Sequence, residues 1–261
     1  MKNNFLCSLD RWNKAVLIAL ALLLLKDAEA QVSVKDSVFS FTFCSVTGGF
    51  SIPGGDLADR FGSNFSVGGN CFRKLKNNWM IGLQGDFLFG EKVKEDGFLD
   101  DFRNDQGEIV SQAGTYSAIQ LYERGWRTEL RFGKIFPVIG PNDNSGILVI
   151  AGAGFLQHKI RIETQGDNLP FLEGDYLKGY DRLTNGPCAS QFIGYCHFGN
   201  KRRVNFFAGL ETTQAFTRSK RDFDFDTRQT DTQSRTDLLF GLRAGWIIPL
   251  YKKIPNAYYY D

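Results

Sequence analysis

From Leu238 to Leu250 the chain alternates. Leu238, Phe240, Leu242, Ala244, Trp246, Ile248 and Leu250 share one face, and Leu239, Gly241, Arg243, Gly245, Ile247 and Pro249 share the other. A period of two belongs to a strand, and here one face is wholly apolar while the other carries glycines and an arginine. Seven earlier runs follow the pattern less regularly. Val38–Thr47 puts Phe39, Phe41 and Phe43 together, taken as an outward face, and Asn64–Arg73 sets Phe65 and Val67 against Ser66 and Gly68. The third run has Trp79, Ile81, Leu83, Phe87 and Phe89 opposite Met80, Gly82, Gln84 and Asp86. In the fourth, Ser117–Phe136, Trp126, Thr128, Leu130 and Phe132 oppose Arg127, Glu129 and Arg131. Gly146–Glu163 is apolar on both faces at its start and leaves its register open, as does the weak run Ala189–Phe198. Arg203–Phe216 sets Val204, Phe206, Ala208 and Leu210 against Asn205, Gly209 and Glu211.

The connections carry a second signal. Short polar turns follow the even-numbered runs, at Lys74–Asn78, Pro137–Ser145 and Gly199–Arg202. Long connections follow the odd-numbered runs, at Gly48–Ser63, Gly90–Tyr116, Thr164–Cys188 and Thr217–Ser234. Apolar-out, polar-in strands joined alternately by tight turns and long loops predict a closed antiparallel transmembrane β-barrel of about eight strands. The long loops then face outward and the short turns face the periplasm. A soluble sandwich has no reason to alternate its loop lengths in this way.

The first thirty residues bear on location. Lys2, Arg11 and Lys14 precede an apolar run, Ala15–Leu25, and Ala28-Glu29-Ala30 offers a small-x-small cleavage site. This predicts a signal peptide over residues 1–30 and one barrel domain over 31–261, exported to the outer membrane of the cell envelope. The apolar run is too short for a comfortable helical span, which needs ~20 residues. No later stretch approaches that length. The 31 basic and 29 acidic residues nearly balance, so nothing in the charge suggests a nucleic-acid partner. A negative mean hydropathy excludes a helical membrane protein but suits a barrel with a polar lumen and loops.

With these faces, Gln84, Asp86, Arg127, Glu129, Arg131, Glu211 and Arg243 point inward. An eight-stranded lumen is just wide enough to be filled by side chains. Both signs occur, so a salt-bridged filling is expected rather than a selective pore lined by one sign. A proton or ion path, or a pair of carboxylates for catalysis, is the alternative. His158 and His197 have no histidine at i+3 or i+4, no metal ligand set is read, and rim or solvent positions are expected for both. No Gly-x-Ser-x-Gly turn is present, and neither a catalytic residue nor a cofactor is assigned. Cys188 and Cys196 would lie about 26 Å apart on one strand, beyond bonding reach. Cys44 and Cys71 fall on adjacent runs but on different faces, and the four cysteines read as small buried hydrophobes, with the two disulfides that an even count allows in an oxidising envelope left open as the alternative. The acidic groups Asp96, Asp100, Asp101, Asp105 and Glu108 depart from EF-hand spacing and read as a solvated loop. Asp222, Asp224 and Asp226, interleaved with Phe223 and Phe225, likewise read as a solvated acidic stretch, with an extension of the seventh or eighth run above the membrane as the alternative. Pro53-Gly54-Gly55 reads as a turn. Trp79, Trp246 and Tyr251 are placed in an aromatic belt at the inner interface.

The stretch Arg243-Ala-Gly245-Trp-Ile-Ile248-Pro-Leu250 resembles the C-terminal assembly signal of small outer-membrane β-barrel proteins of Gram-negative bacteria. In that family the signal is read by the barrel-assembly machinery during insertion. It usually ends the chain, whereas here Tyr251–Asp261 follows. Residues Tyr176–Pro187 and Gln191–Tyr195 are similar to a stretch in largely uncharacterised envelope barrels. The resemblance implies a porin-like fold and an outer-membrane location, with membrane lipid as its surroundings. A loop holding Tyr176, Tyr180 and Arg182 would either fold inward as a cap or form a partner surface. The expected role is structural or interactive, with outer loops that bind a partner protein, as a subunit of a larger outer-membrane complex. A narrow pore or small-ligand uptake barrel, and an outer-membrane lipid-modifying enzyme, are the rivals; a soluble periplasmic protein would overturn the fold.

Overall fold

A computed structural model describes residues 38–250, apart from 96–97, 105, 107, 111–113, 166–168, 170–171, 173 and 201–203. The signal segment, Tyr251, Asp96, Asp105 and Arg202 lie outside the described residues. The strands are β1 (Phe41–Gly55), β2 (Asn64–Lys74), β3 (Trp79–Gly90), β4 (Ile109–Val110), β5 (Tyr116–Phe136), β6 (Gly146–Gln165), β7 (Thr184–Phe198), β8 (Asn205–Ser219) and β9 (Ser234–Leu250). A single helical turn, α1 (Asp56–Arg60), follows β1. The sheet runs β3-β2-β1-β9-β8-β7-β6-β5, and β3 pairs with β5 to close it. All eight wall strands are antiparallel to their neighbours, and the two-residue β4 adds to β5 in the loop above. Closure leaves no free edge, so every wall strand has a ladder on both sides.

The outer wall is apolar where it must meet lipid. Leu83, Leu130, Leu210 and Leu242 are 56–66% exposed, and Val46, Ile81, Ile193, Phe216 and Trp246 join them. In water such a continuous patch would drive aggregation; around a closed barrel it is a membrane belt. At the turn end Trp79 stacks on Phe132 at 4.8 Å and His197 on Phe206 at 5.3 Å, forming an aromatic rim. The strands outrun the membrane at the other end. β5 and β6 are 21 and 20 residues long, against ~9–11 for a span. Their upper outward faces are correspondingly polar, with Gln120, Arg124, Lys159 and Arg161.

Several expectations are corrected. In β1 the outward residues are Thr42, Cys44, Val46 and Gly48; Phe41 and Phe43 point inward and are 2% exposed. Cys44 therefore shares the outer face with Cys71, its register partner, and the two form a disulfide with Cα atoms 4.1 Å apart. Cys188 and Cys196 are buried and free. The expected loop at Gly48–Gly55 continues as strand, because β9 supplies a ladder from Gly48↔Ala244 to Gly55↔Asp237 that glycine and proline do not prevent at these sites. β7 begins at Thr184, earlier than its side chains suggest. Asp222–Asp226 lies in a loop, with only an isolated bridge, Asp224↔Gln229, in place of the alternative strand extension.

The core is divided in two. At the turn end the lumen holds Phe41, Phe43, Phe72, Phe192, Phe198 and Phe207, with Met80, Ile135, Leu148 and Ile247 among them. Phe43 lies 5.5 Å from Phe72 and 5.6 Å from Phe198, and Phe192 meets Phe207 edge-on at 5.6 Å. Such contacts fix ring orientation as well as burying area. At the loop end Leu57, Phe61, Phe98, Leu99, Leu172 and Tyr180 form a second cluster across the mouth.

Candidate functional site

Between the two clusters lies a layer of charge. Asp86 comes from β3, Arg127, Glu129 and Arg131 from β5, Glu211 from β8 and Arg243 from β9, and each is at most 8% exposed. Strand alternation aims all six inward. The diameter is spanned because β3 and β8 stand on opposite walls of the ring. Arg127 Nη2 donates to Asp86 at 2.8 Å and to Glu211 at 2.7 Å. Arg131 Nη2 donates to Glu129 at 2.6 Å and to Glu211 at 2.5 Å. Arg243 donates from Nη1 to Asp86 at 2.9 Å and from Nε to Glu211 at 2.8 Å. Three guanidinium groups thus face three carboxylates, and the layer is neutral when all are ionised.

Neutral donors complete it. Gln84 Nε2 donates to Asp86 at 2.6 Å, Arg243 reaches Thr47 Oγ1 at 3.2 Å, and Arg131 reaches Ser190 Oγ at 3.3 Å. Arg127 also donates to the hydroxyl of Thr213. Asp86 and Arg131, from neighbouring strands, do not pair; the direct cross-strand partner of Asp86 is Arg127. A layer of this kind, packed on an aromatic cluster, fills this part of the lumen with paired side chains.

The remaining assembly-signal residues take structural places. Gly245 lets Phe207 lie against β9, since a Cβ there would come within 2.4 Å of its ring. Ile248 and Leu250 face the lipid.

Above the charge layer a second polar group appears that the sequence did not announce. His158, 1% exposed and pointing inward from β6, bonds Asp237 of β9 at 2.9 Å through Nε2. Thr217 Oγ1 donates to the same carboxylate oxygen at 2.6 Å. The expected rim position for His158 is thus corrected; the doubly apolar start of β6 hid its parity. The order is hydroxyl, carboxylate, imidazole. Thr217 donates its hydroxyl hydrogen bond to Asp237 and not to His158, so the imidazole is not aimed at the hydroxyl as in a nucleophile activated by histidine. Nearby, Asn64 Nδ2 donates to both oxygens of Glu123, at 3.1 and 3.0 Å. Among the described residues no group of three His, Cys, Asp or Glu is arranged to hold a metal.

The mouth is covered by a cap whose four loops share one ionic clasp. Arg60 of α1 pairs with Glu95 of the β3–β5 loop at 2.6 Å. Arg182, from the β6–β7 loop, binds the same Glu95, and reaches Asp226 at 2.7 Å and Asp224 at 3.4 Å in the β8–β9 loop. Its guanidinium also lies 5.6 Å from the Phe98 ring. Burial lowers the pKa of Arg60 while Glu95 opposes that shift. Arg182 has φ 46°, a left-handed conformation rare outside glycine and tolerated where surrounding contacts determine it. Tyr180 is 6% exposed and packs edge-on against Phe102 and Phe225, with centroids 6.1 and 5.5 Å away. Tyr180 and Arg182 therefore hold the cap together from within, and of the three residues expected on a partner loop Tyr176 is the exposed one, at 64%, while Arg182 is half-buried. Arg221 donates to Asp181 at 2.7 and 2.5 Å, and this hydrogen bonding raises the arginine pKa further.

Neither a family model nor a curated protein matches the sequence. Among solved structures the chain is similar to Neisserial surface protein A at 11% identity, covering 78% of this chain and 95% of that one, with a TM-score of 0.38. It is similar to Ail, the attachment invasion locus protein of Yersinia pestis, at 10% identity over 80% and 99% of the two chains, with a TM-score of 0.36. A major outer membrane protein from Thermus thermophilus gives 10% identity over 79% and 99%, with a TM-score of 0.39. The architecture itself rests on the closed strand order and the lipid-facing belt, and by these the chain is a small eight-stranded transmembrane β-barrel.

Proposed function

We propose that this barrel is a structural and interaction subunit of the outer membrane whose ordered loop cap binds a partner protein. The observation that carries the reading is a division of labour between lumen and cap. The lumen is filled by an aromatic cluster and a compensated charge layer. The cap, by contrast, is tied into one surface and leaves Tyr116, Tyr176 and Phe223 exposed at 66%, 64% and 43%. Exposed aromatics on a rigid support are the commonest anchors of protein interfaces, because they bury much area at little entropic cost. A larger outer-membrane complex is the natural setting for such a subunit.

The test is a photo-crosslinking residue placed at Tyr176 in the full chain, followed by purification from membranes in mild detergent. A single adduct in fixed stoichiometry, absent when the crosslinker sits at lipid-facing Leu83, is the expected result. A steady conductance of the purified barrel in planar bilayers, without any adduct, would replace this reading with the narrow pore.

A further inference from the structure

The outer wall carries a cavity of about 500 Å³ where β7 and β8 part near the loop end. The two strands pair from Thr184↔Ser219 to Asn185↔Arg218 and resume at Cys188↔Ala215, so the ladder is interrupted at Gly186 and Pro187. Proline has no amide hydrogen to give, and it suits a place where pairing stops. Gly186 is fixed by close approach, since a Cβ there would stand 1.9 Å from the carbonyl oxygen of Phe216. The floor of the cavity is apolar, with Phe155, Pro187 and Phe216, the last 62% exposed. Its upper rim is basic, with Arg218 and Lys220. Arg218 Nε is held by Ser234 Oγ at 2.8 Å, and among the described residues no carboxylate pairs with either cation. The third rim cation, Arg235, differs in being paired with Asp231 at 2.7 Å.

We propose that this cavity is a site for a phosphate-bearing membrane lipid, with an acyl chain against the phenylalanines and the phosphate between Arg218 and Lys220. The height on the wall supports that occupant. On β8 the outward residues run Leu210, Thr212, Gln214, Phe216 and Arg218, so the wall turns polar from Thr212 upward and the cavity lies in the interfacial zone, where headgroups sit. A guanidinium already oriented by a hydroxyl is a preorganised phosphate donor, and an unpaired lysine beside it supplies the second charge. A soluble anion would find the same two charges but would leave the apolar floor uncovered.

The full-length protein, purified in mild detergent, is titrated with phosphatidic acid and with the matching diacylglycerol, and retained lipid is counted by native mass spectrometry. One phosphatidic acid per barrel is expected, with diacylglycerol retained about ten-fold less or more weakly still, as befits the loss of a charge-assisted contact. The R218A/K220A double variant, checked for folding by heat-modifiable gel migration, should lose that preference; S234A should weaken it less. Equal retention of the two lipids, or a folded double variant that binds like the parent, overturns the proposal. Displacement of the lipid by inorganic phosphate would also overturn it, because the site would then belong to a free anion.

Discussion

Glu211 is the hub of the charge layer, and its removal tests whether that layer is dry. Its two oxygens accept from Arg131 at 2.5 Å, Arg127 at 2.7 Å and Arg243 at 2.8 Å. At an effective dielectric of ~20 each such contact is worth about 6 kcal/mol of attraction. Most of that sum offsets the desolvation of four charged groups, so the gross figure is not the loss to expect. E211Q keeps the volume and leaves three arginines facing two carboxylates, Asp86 and Glu129. An uncompensated buried charge of this sort costs about 3–5 kcal/mol. With a urea slope of ~2 kcal/mol/M, the unfolding midpoint in detergent should fall by roughly 2 M. A companion E211Q/R243Q removes one charge of each sign and restores neutrality. It should recover part of the loss, giving a positive coupling between the sites. If E211Q unfolds within about 0.5 kcal/mol of the parent, a surface-like effect, then water screens these groups. The lumen would not be a filled core, and the division between lumen and cap argued above would lose its basis.

Other outcomes follow from the same geometry. L242R places a cation at a lipid-facing position 61% exposed, and should cost about 2–4 kcal/mol in bilayer refolding titrations; a neutral effect would mean this face does not meet hydrocarbon. In denatured, unreduced protein without residues 1–30, thiol titration should find Cys188 and Cys196 only, and Cys44 and Cys71 should appear on reduction. Four reactive thiols before reduction would refute the bridge. R182A unties Glu95, Asp224 and Asp226 at once. Local opening should become easier by about 2–3 kcal/mol, with proteolysis of the β6–β7 and β8–β9 loops roughly 30- to 150-fold faster, while heat-modifiable migration stays intact. Unchanged cleavage would show that the clasp does not order the cap.

Period-two patterning made most of the wall legible because hydrocarbon outside and charge inside impose opposite demands on alternate residues. On β3, β5, β8 and β9 this was enough to aim Asp86, Arg127, Glu129, Arg131, Glu211 and Arg243 at the axis. The rule inverts where the lumen is itself apolar. Phe41 and Phe43 on β1 face inward into the aromatic cluster, while Thr42 and Cys44 face outward at the membrane edge. Reading large apolar groups as outward then put Cys44 on the wrong side and hid its bond to Cys71. His158 was lost for a related reason, since Leu156 and Ile160 flank it on a face apolar in itself.

The cap was illegible for a different reason, and the difference bears on function. A strand side chain is assigned a side by its parity, whatever its neighbours are. A loop side chain has no parity; Arg182 is an internal clasp only because Glu95, Asp224 and Asp226 arrive from two other loops. From sequence, Tyr176, Tyr180 and Arg182 were equivalent candidates for a partner surface. In the fold Tyr180 and Arg182 are used in tying the loops to one another, and Tyr176 is left to solvent. The same loops that carry the exposed aromatics also cover the mouth, while the charge layer fills the lumen beneath them. Loosening the cap through Arg182 should therefore weaken capture at Tyr176 without opening conduction, because the charge layer beneath, anchored on Glu211, depends on none of the cap residues.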